Sequence, residues 1–310
     1  MARDLEGKVA IVTGASKGGI GTGIAERFAA EGAKVALAAR TRSGLEDALA
    51  LVEDAGSTGR VYVVDLSRPD GGRETLVAEV ERDLGPVDVL VNNSALGGFK
   101  PFEEWNLTQL QKVQEVNNWS PWLLAQHVLP GMRERGRGAI LNISSATAEL
   151  PTGPPFPWTA PARAGSAYGS TKAMLNRWTV SLAAETHGQG IQVNALSPQR
   201  AAMTASLAGN AWFPDVYFEP QDTMAEAALA LVAGGPAMLT GCIAYSLALL
   251  AELDRPVYDL RGKQLLDGWQ PPDLPAIIAA QDAEAAKRDA EAEAKAAANL
   301  PAPGSRYSSR

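Results

Sequence analysis

Short apolar runs alternate with longer segments of helical periodicity along most of the chain. Near-continuous apolar strands separated by helices are typical of βαβ units and of a parallel sheet covered on both faces. The predicted strands are Lys8–Thr13, Lys34–Ala39, Val61–Val64, Val87–Val91, Ala139–Ile143, Gln192–Ala195 and Val257–Leu260. The predicted helices are Gly21–Ala30, Leu45–Glu53, Gly72–Asp83, Leu107–Arg135 and Ala167–Thr186, with another helical run at Cys242–Leu253. The pattern therefore predicts an α/β fold.

Three segments depart from the alternation. Residues 148–165 form a Pro-rich insert, and residues 200–222 form a second long segment rich in aromatic side chains. Loops of this length in compact domains are often lids, so we interpret 200–222 as a substrate lid; a surface excursion without a role is the alternative. Residues 276–299 combine high helix propensity with little to bury, which predicts a solvated helix, and residues 301–310 are predicted to be disordered.

Composition narrows the function classes. The 310 residues carry a net charge of −7, which argues against a nucleic-acid-binding face. The lone Cys242 excludes an internal disulfide and a cysteine-based zinc site, and two histidines supply neither a His-based metal site nor a Ser-His-Asp triad well. Neither an apolar signal region nor an apolar run of membrane-spanning length is present, so we expect a cytoplasmic protein that neither binds nor spans a membrane.

A glycine-rich turn follows the first predicted strand. Residues 14–21 read GASKGGIG and lead into a helix, and such a turn lets the backbone and the helix N-terminus approach a pyrophosphate. The second strand ends at Arg40, where dinucleotide folds place the adenosine ribose, and an arginine offers a planar fork to a 2′-phosphate. With Lys17 as a second positive charge, the sequence predicts NADP(H) in preference to NAD(H), with NAD(H) possible.

Tyr168 and Lys172 stand four residues apart in a helical pattern. This spacing places phenol and ammonium on one helix face, and a nearby positive charge lowers the pKa of a phenol. The pair is therefore a candidate acid/base, with an amphipathic helix carrying a surface lysine as the alternative.

Together these pieces resemble the short-chain dehydrogenase/reductase family over about residues 5–198. The further matches are Asp65-Leu66, Asn92-Asn93-Ser94-Ala95, Asn117, Asn142-Ile143-Ser144-Ser145 and Asn194–Pro198. The resemblance implies one Rossmann-type doubly wound domain over residues 1–270, built on about seven parallel strands. It also implies an NAD(P)-dependent ketoreductase that acts as a homodimer or homotetramer on a small alcohol or ketone. Composition, and not the resemblance, assigns residues 271–310 to an Ala/Glu-rich helical tail with a disordered C-terminus.

The resemblance also implies the site residues. Tyr168 exchanges a proton with the substrate oxygen, Ser145 binds that oxygen, Lys172 lowers the pKa of Tyr168 and holds the ribose, and Asn117 supports a water relay. Ser144 is a weaker alternative to Ser145. The cofactor-binding set is Gly14, Ser16, Lys17, Gly19, Ile20, Gly21, Arg40, Thr41, Asp65, Leu66, Asn93, Ser94, Ala95, Ile143, Tyr168, Lys172, Pro198 and Thr204.

The sequence departs from the family at several points. The glycine turn holds one extra residue, which leaves open whether Gly18 or Gly19 faces the pyrophosphate, and Pro198 is followed by Gln199 where the family has glycine. A helical run at 242–253 follows Leu239-Thr240-Gly241, where the family has its last strand. That difference and the extra tail put the family's common pairing through its last helices and strand in question.

The aromatic residues of the insert and the lid suggest the substrate. If they line one cleft, they predict a bulky apolar, cyclic or steroid-like alcohol or ketone, with internal packing of these side chains as an equal alternative. The expected substrate-contacting residues are Ser145, Tyr168, Phe156, Trp158, Trp212 and Phe213. Two other function classes stay open: a non-catalytic NADP(H)-binding regulator, and a lyase or dehalogenase that works without a nucleotide.

Overall fold

A computed structural model of the chain describes residues 3–16, 18–151, 153, 165–199, 201–202, 218–234, 238–270, 273–277 and 279–280, with single positions up to 294. Strands and helices alternate, as the hydrophobic pattern predicts. The strands are β1 Val9–Thr13, β2 Lys34–Ala39, β3 Gly59–Val63, β4 Val87–Asn92, β5 Gly138–Ile143, β6 Ile191–Ser197, β7 Ala201–Ala202, β8 Phe218–Glu219 and β9 Ile243–Tyr245. The helices are α1 Ile20–Ala30, α2 Arg42–Asp54, α3 Leu76–Leu84, α4 Leu107–Gln114, α5 Ser120–Arg135, α6 Ser166–Glu185, α7 Gln221–Val232 and α8 Ser246–Glu252.

One seven-stranded parallel sheet forms the centre, in the order β3-β2-β1-β4-β5-β6-β9. The order reverses between β1 and β4, and ligands of open α/β sheets bind beyond the carboxyl ends of the strands at such a point. The sheet confirms the predicted Rossmann-type architecture. A ligand-binding site is therefore expected at the carboxyl ends of β1, β4 and β5.

Each face of the sheet carries its own hydrophobic core. One core packs α1, α2, α7 and α8 on the sheet, around residues such as Phe28 and Met224. The other packs α3 and α5 on the opposite face, around residues such as Leu124 and Met132. Because both faces are covered, the strands are apolar along nearly their whole length, and β1, β4 and β6 are buried at every position.

The seventh strand is not the predicted one. Ile243–Tyr245 pairs with the end of β6, whereas residues 257–260 form only an isolated antiparallel bridge between Tyr258 and Leu265. The prediction of a helix over 242–253 was therefore wrong at its start. Three strand residues run directly into α8, so the short strand is hidden at the edge of a longer apolar segment. With this correction, the segment after Gly241 follows the family pattern.

The long predicted helix 107–135 is interrupted. Residues Glu115–Trp119 form a turn of π-helix between α4 and α5. Single π turns inside helices occur frequently at functional sites, and this one holds Asn117. In the tail, the described positions from 274 to 294 are helical and mostly exposed, in line with a solvated helix.

Ion pairs attach the C-terminal segment to the first helix. Arg27, 3% exposed, donates from Nε to Glu226 on α7 at 2.9 Å and from Nη1 to Glu31 at 2.5 Å. Glu226, 1% exposed, also accepts from Arg255 at 2.7 Å. Arg261 lies 3.3 Å from Glu26 on α1. Removing one partner of such a buried pair is costly because the other charge is left uncompensated.

Candidate active site

The ends of β1 and β4 are tied together by Thr13 and Asn93. The Thr13 hydroxyl donates to the Val91 carbonyl at 3.3 Å and accepts from the backbone N–H groups of Asn93 and Ser94 at 3.0 and 3.1 Å. The Asn93 amide donates back to the Thr13 carbonyl at 2.9 Å. Asn93, expected at the cofactor, therefore holds the strand ends in register, and the neighbouring Ser94 and Ala95 line the cleft.

Two glycines leave room for this tie. A Cβ at Gly21 would stand 2.4 Å from Asn93 Nδ2, and one at Gly14 would stand 2.8 Å from the same atom. Gly14 also has a φ of +69°, which favours glycine. The close packing brings the N-terminus of α1, which begins at Ile20, against the end of β1. Gly19 caps α1 and no side chain bonds to the cap, so the first-turn N–H groups suit a bound anion.

A cleft runs from the glycine turn along the ends of β2 and β3. Eight of the predicted cofactor residues line it, and five lining residues were not predicted. The predicted ones are Gly14, Ser16, Arg40, Thr41, Asp65, Leu66, Ser94 and Ala95, and the others are Ala39, Val64, Ser67, Leu96 and Val116. Four of these five directly adjoin predicted cofactor residues in sequence, and Val116, on the π turn, adjoins the predicted catalytic residue Asn117. A wider window around the predicted residues would therefore have found all five.

Asp65 and Arg40 set the charge of this cleft. Asp65 Oδ1 accepts from the backbone N–H and the hydroxyl of Ser67, at 3.0 and 2.7 Å. Burial acts to raise the pKa of Asp65, but these bonds and the charges of Arg40 and Lys112 outweigh it, so the pKa lies below its usual value. Arg40 is exposed and forms no hydrogen bond or ion pair within the described part of the chain. Its guanidinium is thus available to a ligand.

Tyr168 and Lys172 lie in the first turns of α6, next to the end of β5. Lys172, 2% exposed, donates from Nζ to the Ile143 carbonyl at 2.6 Å and lies 5.6 Å from the centroid of the Tyr168 ring. The Ser145 hydroxyl is hydrogen-bonded to Tyr168. It also accepts from the Thr147 hydroxyl at 3.0 Å. Three of the four predicted catalytic residues therefore come together.

Gly169 permits this meeting. A Cβ at this position would lie 2.5 Å from the Thr147 carbonyl oxygen, so only glycine lets α6 approach the turn that carries Ser145. The glycine of the Tyr-Gly-Ser-Thr-Lys segment was not singled out in the sequence, although it stands between the two predicted catalytic residues.

Burial controls the titration of the pair. It raises the pKa of Tyr168 to about 12, against the lowering effect of the hydrogen bond with Ser145. It lowers the pKa of Lys172 to about 8. In this structure burial dominates the pKa of Tyr168, and the lowering of that pKa by Lys172 stays a prediction. The sequence prediction included the positive charge of Lys172 and omitted the cost of desolvating both groups. Tyr168 consequently holds its proton at neutral pH and is a donor.

Asn117 joins α6 to the loop after β4. Its Oδ1 accepts from the Leu96 N–H at 2.8 Å, and its Nδ2 donates to the Leu96 carbonyl at 3.0 Å and to Thr171 Oγ1 at 2.9 Å. Thr171 donates in turn to the Tyr168 carbonyl at 2.7 Å. Through these contacts the amide positions both the loop and the tyrosine helix.

A second buried link joins the cleft to the π turn. Ser120 donates to the Leu66 carbonyl at 2.7 Å and accepts from Arg73 at 3.1 Å. Arg73 also bonds Glu115, the first residue of the π turn, at 2.5 Å. Leu66 is therefore linked through Ser120 and Arg73 to Glu115, in the π turn that also carries Asn117, a link that the sequence pattern did not reveal.

Several predictions fall outside the described residues or need a different account. Lys17, Thr204, Phe156, Trp158, Trp212 and Phe213 lie outside the described part of the chain. Pro198 follows β6, and the next residue, Gln199, donates its N–H to Ser246 Oγ at 3.0 Å. Ser144 is 4% exposed, and its hydroxyl has no hydrogen-bond partner among the described residues.

Two classes of site receive no support from the described residues. Within them, no group of three potential metal ligands is brought together. No helix there has the length and apolar character needed to cross a membrane.

The sequence and fold match known proteins. A family model described as short chain dehydrogenase matches residues 8–210. A short chain dehydrogenase of Pseudocercospora fijiensis is 39% identical over 63% of this chain, and the match spans 60% of that relative. Gluconate 5-dehydrogenase of Gluconobacter oxydans is 34% identical over 68% of this chain and 78% of its own length.

Solved structures of short-chain oxidoreductases and reductases also resemble this chain. A metagenomic short-chain oxidoreductase in complex with NADP superposes with a TM-score of 0.65 at 28% identity, covering 78% of this chain and 98% of its own. L-Sorbose reductase of Gluconobacter frateurii, complexed with NADPH and L-sorbose, gives a TM-score of 0.68 at 28% identity, covering 79% and 97%.

Proposed function

Because this chain belongs to the short-chain dehydrogenase/reductase family, we propose that it is an NADP(H)-dependent oxidoreductase that interconverts a secondary alcohol and a ketone. The observation that carries the proposal is the group of Tyr168, Ser145 and Lys172 at the carboxyl end of β5, beside a cleft suited to a dinucleotide. A non-catalytic cofactor-binding regulator would have no need of the complete group.

The chain's own residues supply the acid chemistry. In the reductive direction the Ser145 hydroxyl binds the ketone oxygen, and Tyr168 gives that oxygen its proton; the reverse transfer serves oxidation. The dinucleotide, when bound, supplies or accepts hydride. Lys172 would hold the ribose of the dinucleotide, and its ammonium would return a proton to Tyr168 and regain one from solvent. Asn117 fixes the helix on which both groups stand.

Arg40 supports the preference for NADP(H). Its guanidinium, which has no hydrogen bond within the described part of the chain, stands at the end of β2 in the cleft that Asp65 and Leu66 line, where it would offer paired hydrogen bonds to a 2′-phosphate. Two structural neighbours were crystallised with NADP or NADPH, which supports the same choice. The proposal also includes a bulky apolar substrate, a homodimeric or homotetrameric assembly and a cytoplasmic location.

Turnover tests the proposal directly. NADPH oxidation is followed with ketones ranging from small cyclic compounds to steroids, and with open-chain hydroxyketones. Tyr168→Phe should lower kcat by about 10²-fold or more, because it removes the general acid. NADPH binding should persist in this variant. Tyr258→Phe, in the C-terminal segment, is the matched control. Near-normal turnover by Tyr168→Phe would refute the assignment.

The cofactor preference has its own test. Arg40→Asp should raise the KM for NADPH by about 10-fold to 100-fold, the value of one to two charge-assisted hydrogen bonds, and should leave NADH use unchanged or improved. Arg42→Asp is the control, since Arg42 is exposed two residues away and pairs with Glu46 at 3.9 Å. Equal increases in the KM for NADPH in the two variants would show that the change in net charge, and not a specific contact of Arg40, causes the effect.

A further inference from the structure

Phe99 lies against the proposed general acid. Its ring meets the Tyr168 ring edge-to-face, with 6.3 Å between the centroids and 71° between the planes. At the same time 40% of Phe99 is exposed, so one side of the ring is packed on Tyr168 and another is open. No motif singled this residue out in the sequence.

The loop that carries Phe99 is fixed at both ends. On one side, Asn117, 1% exposed, bonds both the N–H and the carbonyl of Leu96. On the other, the Lys100 ammonium lies 4.3 Å from the centroid of the Trp105 ring and donates to the Glu104 carbonyl at 2.8 Å. These contacts restrict the backbone of the loop on each side of Phe99 and so keep its ring within reach of Tyr168.

The start of α4 strengthens the second anchor. Lys100 also donates to Gln109 Oε1 at 2.5 Å. Gln109 forms a capping box with Asn106, the N-cap of α4. The lysine is therefore bound to a helix end whose own geometry is fixed.

We infer that Phe99 is a specificity-determining residue: it forms the apolar wall along which the carbon skeleton of the substrate lies. This inference rests on the proposed function, because a ketone whose oxygen meets Tyr168 and Ser145 must extend past the ring that adjoins Tyr168. An aryl or cyclic substituent covers the open face of Phe99 and gains from stacking and burial. A hydroxylated chain gains nothing there and loses water from its hydroxyl groups.

The test compares two substrates in three proteins. Phe99→Ala should lower kcat/KM for an aryl ketone such as acetophenone by about 10-fold or more, mainly through KM, a loss within the range of one hydrophobic pocket contact. For a small hydroxyketone such as dihydroxyacetone, kcat/KM should change less than twofold. Phe102→Ala is the matched control, since Phe102 is a nearby phenylalanine that is 79% exposed. Equal losses with both substrates would overturn the inference and assign Phe99 to the support of Tyr168.

A binding measurement separates this inference from the proposed function. Saturation-transfer NMR of acetophenone with the NADPH-loaded protein needs no turnover. A signal that weakens in Phe99→Ala and persists in Phe102→Ala supports the wall even if no ketone is reduced. Signals of equal strength in all three proteins overturn it. Reduction of hydroxyketones alone, with no aryl ketone bound, would uphold the reductase and refute the apolar wall.

Discussion

Lys172→Met should remove the destabilisation that results from burying a charged lysine in the folded protein. Lys172 is 2% exposed, and its ammonium donates to one carbonyl, that of Ile143, with no carboxylate among the causes of its lowered pKa. A fall in pKa from 10.5 to about 8 corresponds to about 3 kcal/mol of destabilisation while the lysine is charged. Losing the hydrogen bond to Ile143 costs about 1–3 kcal/mol in the variant. Near pH 7 the cofactor-free variant should therefore match or exceed the wild type in stability.

The pH dependence is the sharper observable. Below pH 8 the lysine is protonated in both the folded and the unfolded chain, and the wild type bears the full cost. Between pH 8 and 10.5 the unfolded chain binds more protons than the folded chain, so the stability of the wild type relative to Lys172→Met must rise with pH. About 2–3 kcal/mol of the difference should be regained between pH 7 and pH 10.

The assay is urea unfolding of the cofactor-free proteins at closely spaced pH values from 7 to 10. Lys263→Met, at an exposed position, is the control and should give a difference from the wild type that is flat with pH. A flat difference for Lys172→Met as well would show that the ammonium is not desolvated as the structure indicates. The variant should also lose turnover, which would separate activity from stability at this one position.

Two further predictions concern packing and charge. Gly169→Ala should lower kcat by about 10-fold to 100-fold in steady-state assays, because its Cβ would stand 2.5 Å from the Thr147 carbonyl oxygen and displace Ser145 from Tyr168. Gly97→Ala is the control and should have near-normal kcat, because a Cβ there has nothing within 4 Å. Equal kcat values for the two variants would show that the close contact at Gly169 does not affect catalysis. Glu226→Gln should destabilise the protein by about 1–3 kcal/mol in urea unfolding, because it removes one of the two carboxylates that bond the buried Arg27 and the one that bonds Arg255. A loss below 1 kcal/mol would mean that Glu31 alone compensates Arg27.

Sequence patterns located the fold and the catalytic group well because both depend on local signals. The apolar strands follow from burial on two faces, and Tyr168 and Lys172 share one turn of a helix. The short strand Ile243–Tyr245 was missed because its three residues are continuous with the apolar start of α8. The pKa of Tyr168 could not be predicted because it depends on burial by distant parts of the chain.

The long-range contacts of the site could not be predicted from local sequence patterns either. The tie between Thr13 and Asn93 joins residues that are 80 positions apart, and the Phe99–Tyr168 contact joins the loop after β4 to α6. Neither contact has a periodicity or a motif. Each arises because parallel strands bring their carboxyl ends to one edge of the sheet.

The C-terminal ion pairs have a consequence for dividing this protein into parts. The family model matches the chain only up to residue 210, yet α7 shares a hydrophobic core with α1, and two ion pairs, Arg27–Glu226 and Arg261–Glu26, cross that boundary. A fragment ending at 210 would expose the apolar face of α1 and would leave Arg27 without Glu226 and Glu26 without Arg261. The N-terminal piece and the remainder, expressed separately, should behave as complementing fragments that acquire stable structure only when mixed. The unit that folds is therefore longer than the segment that the family model matches.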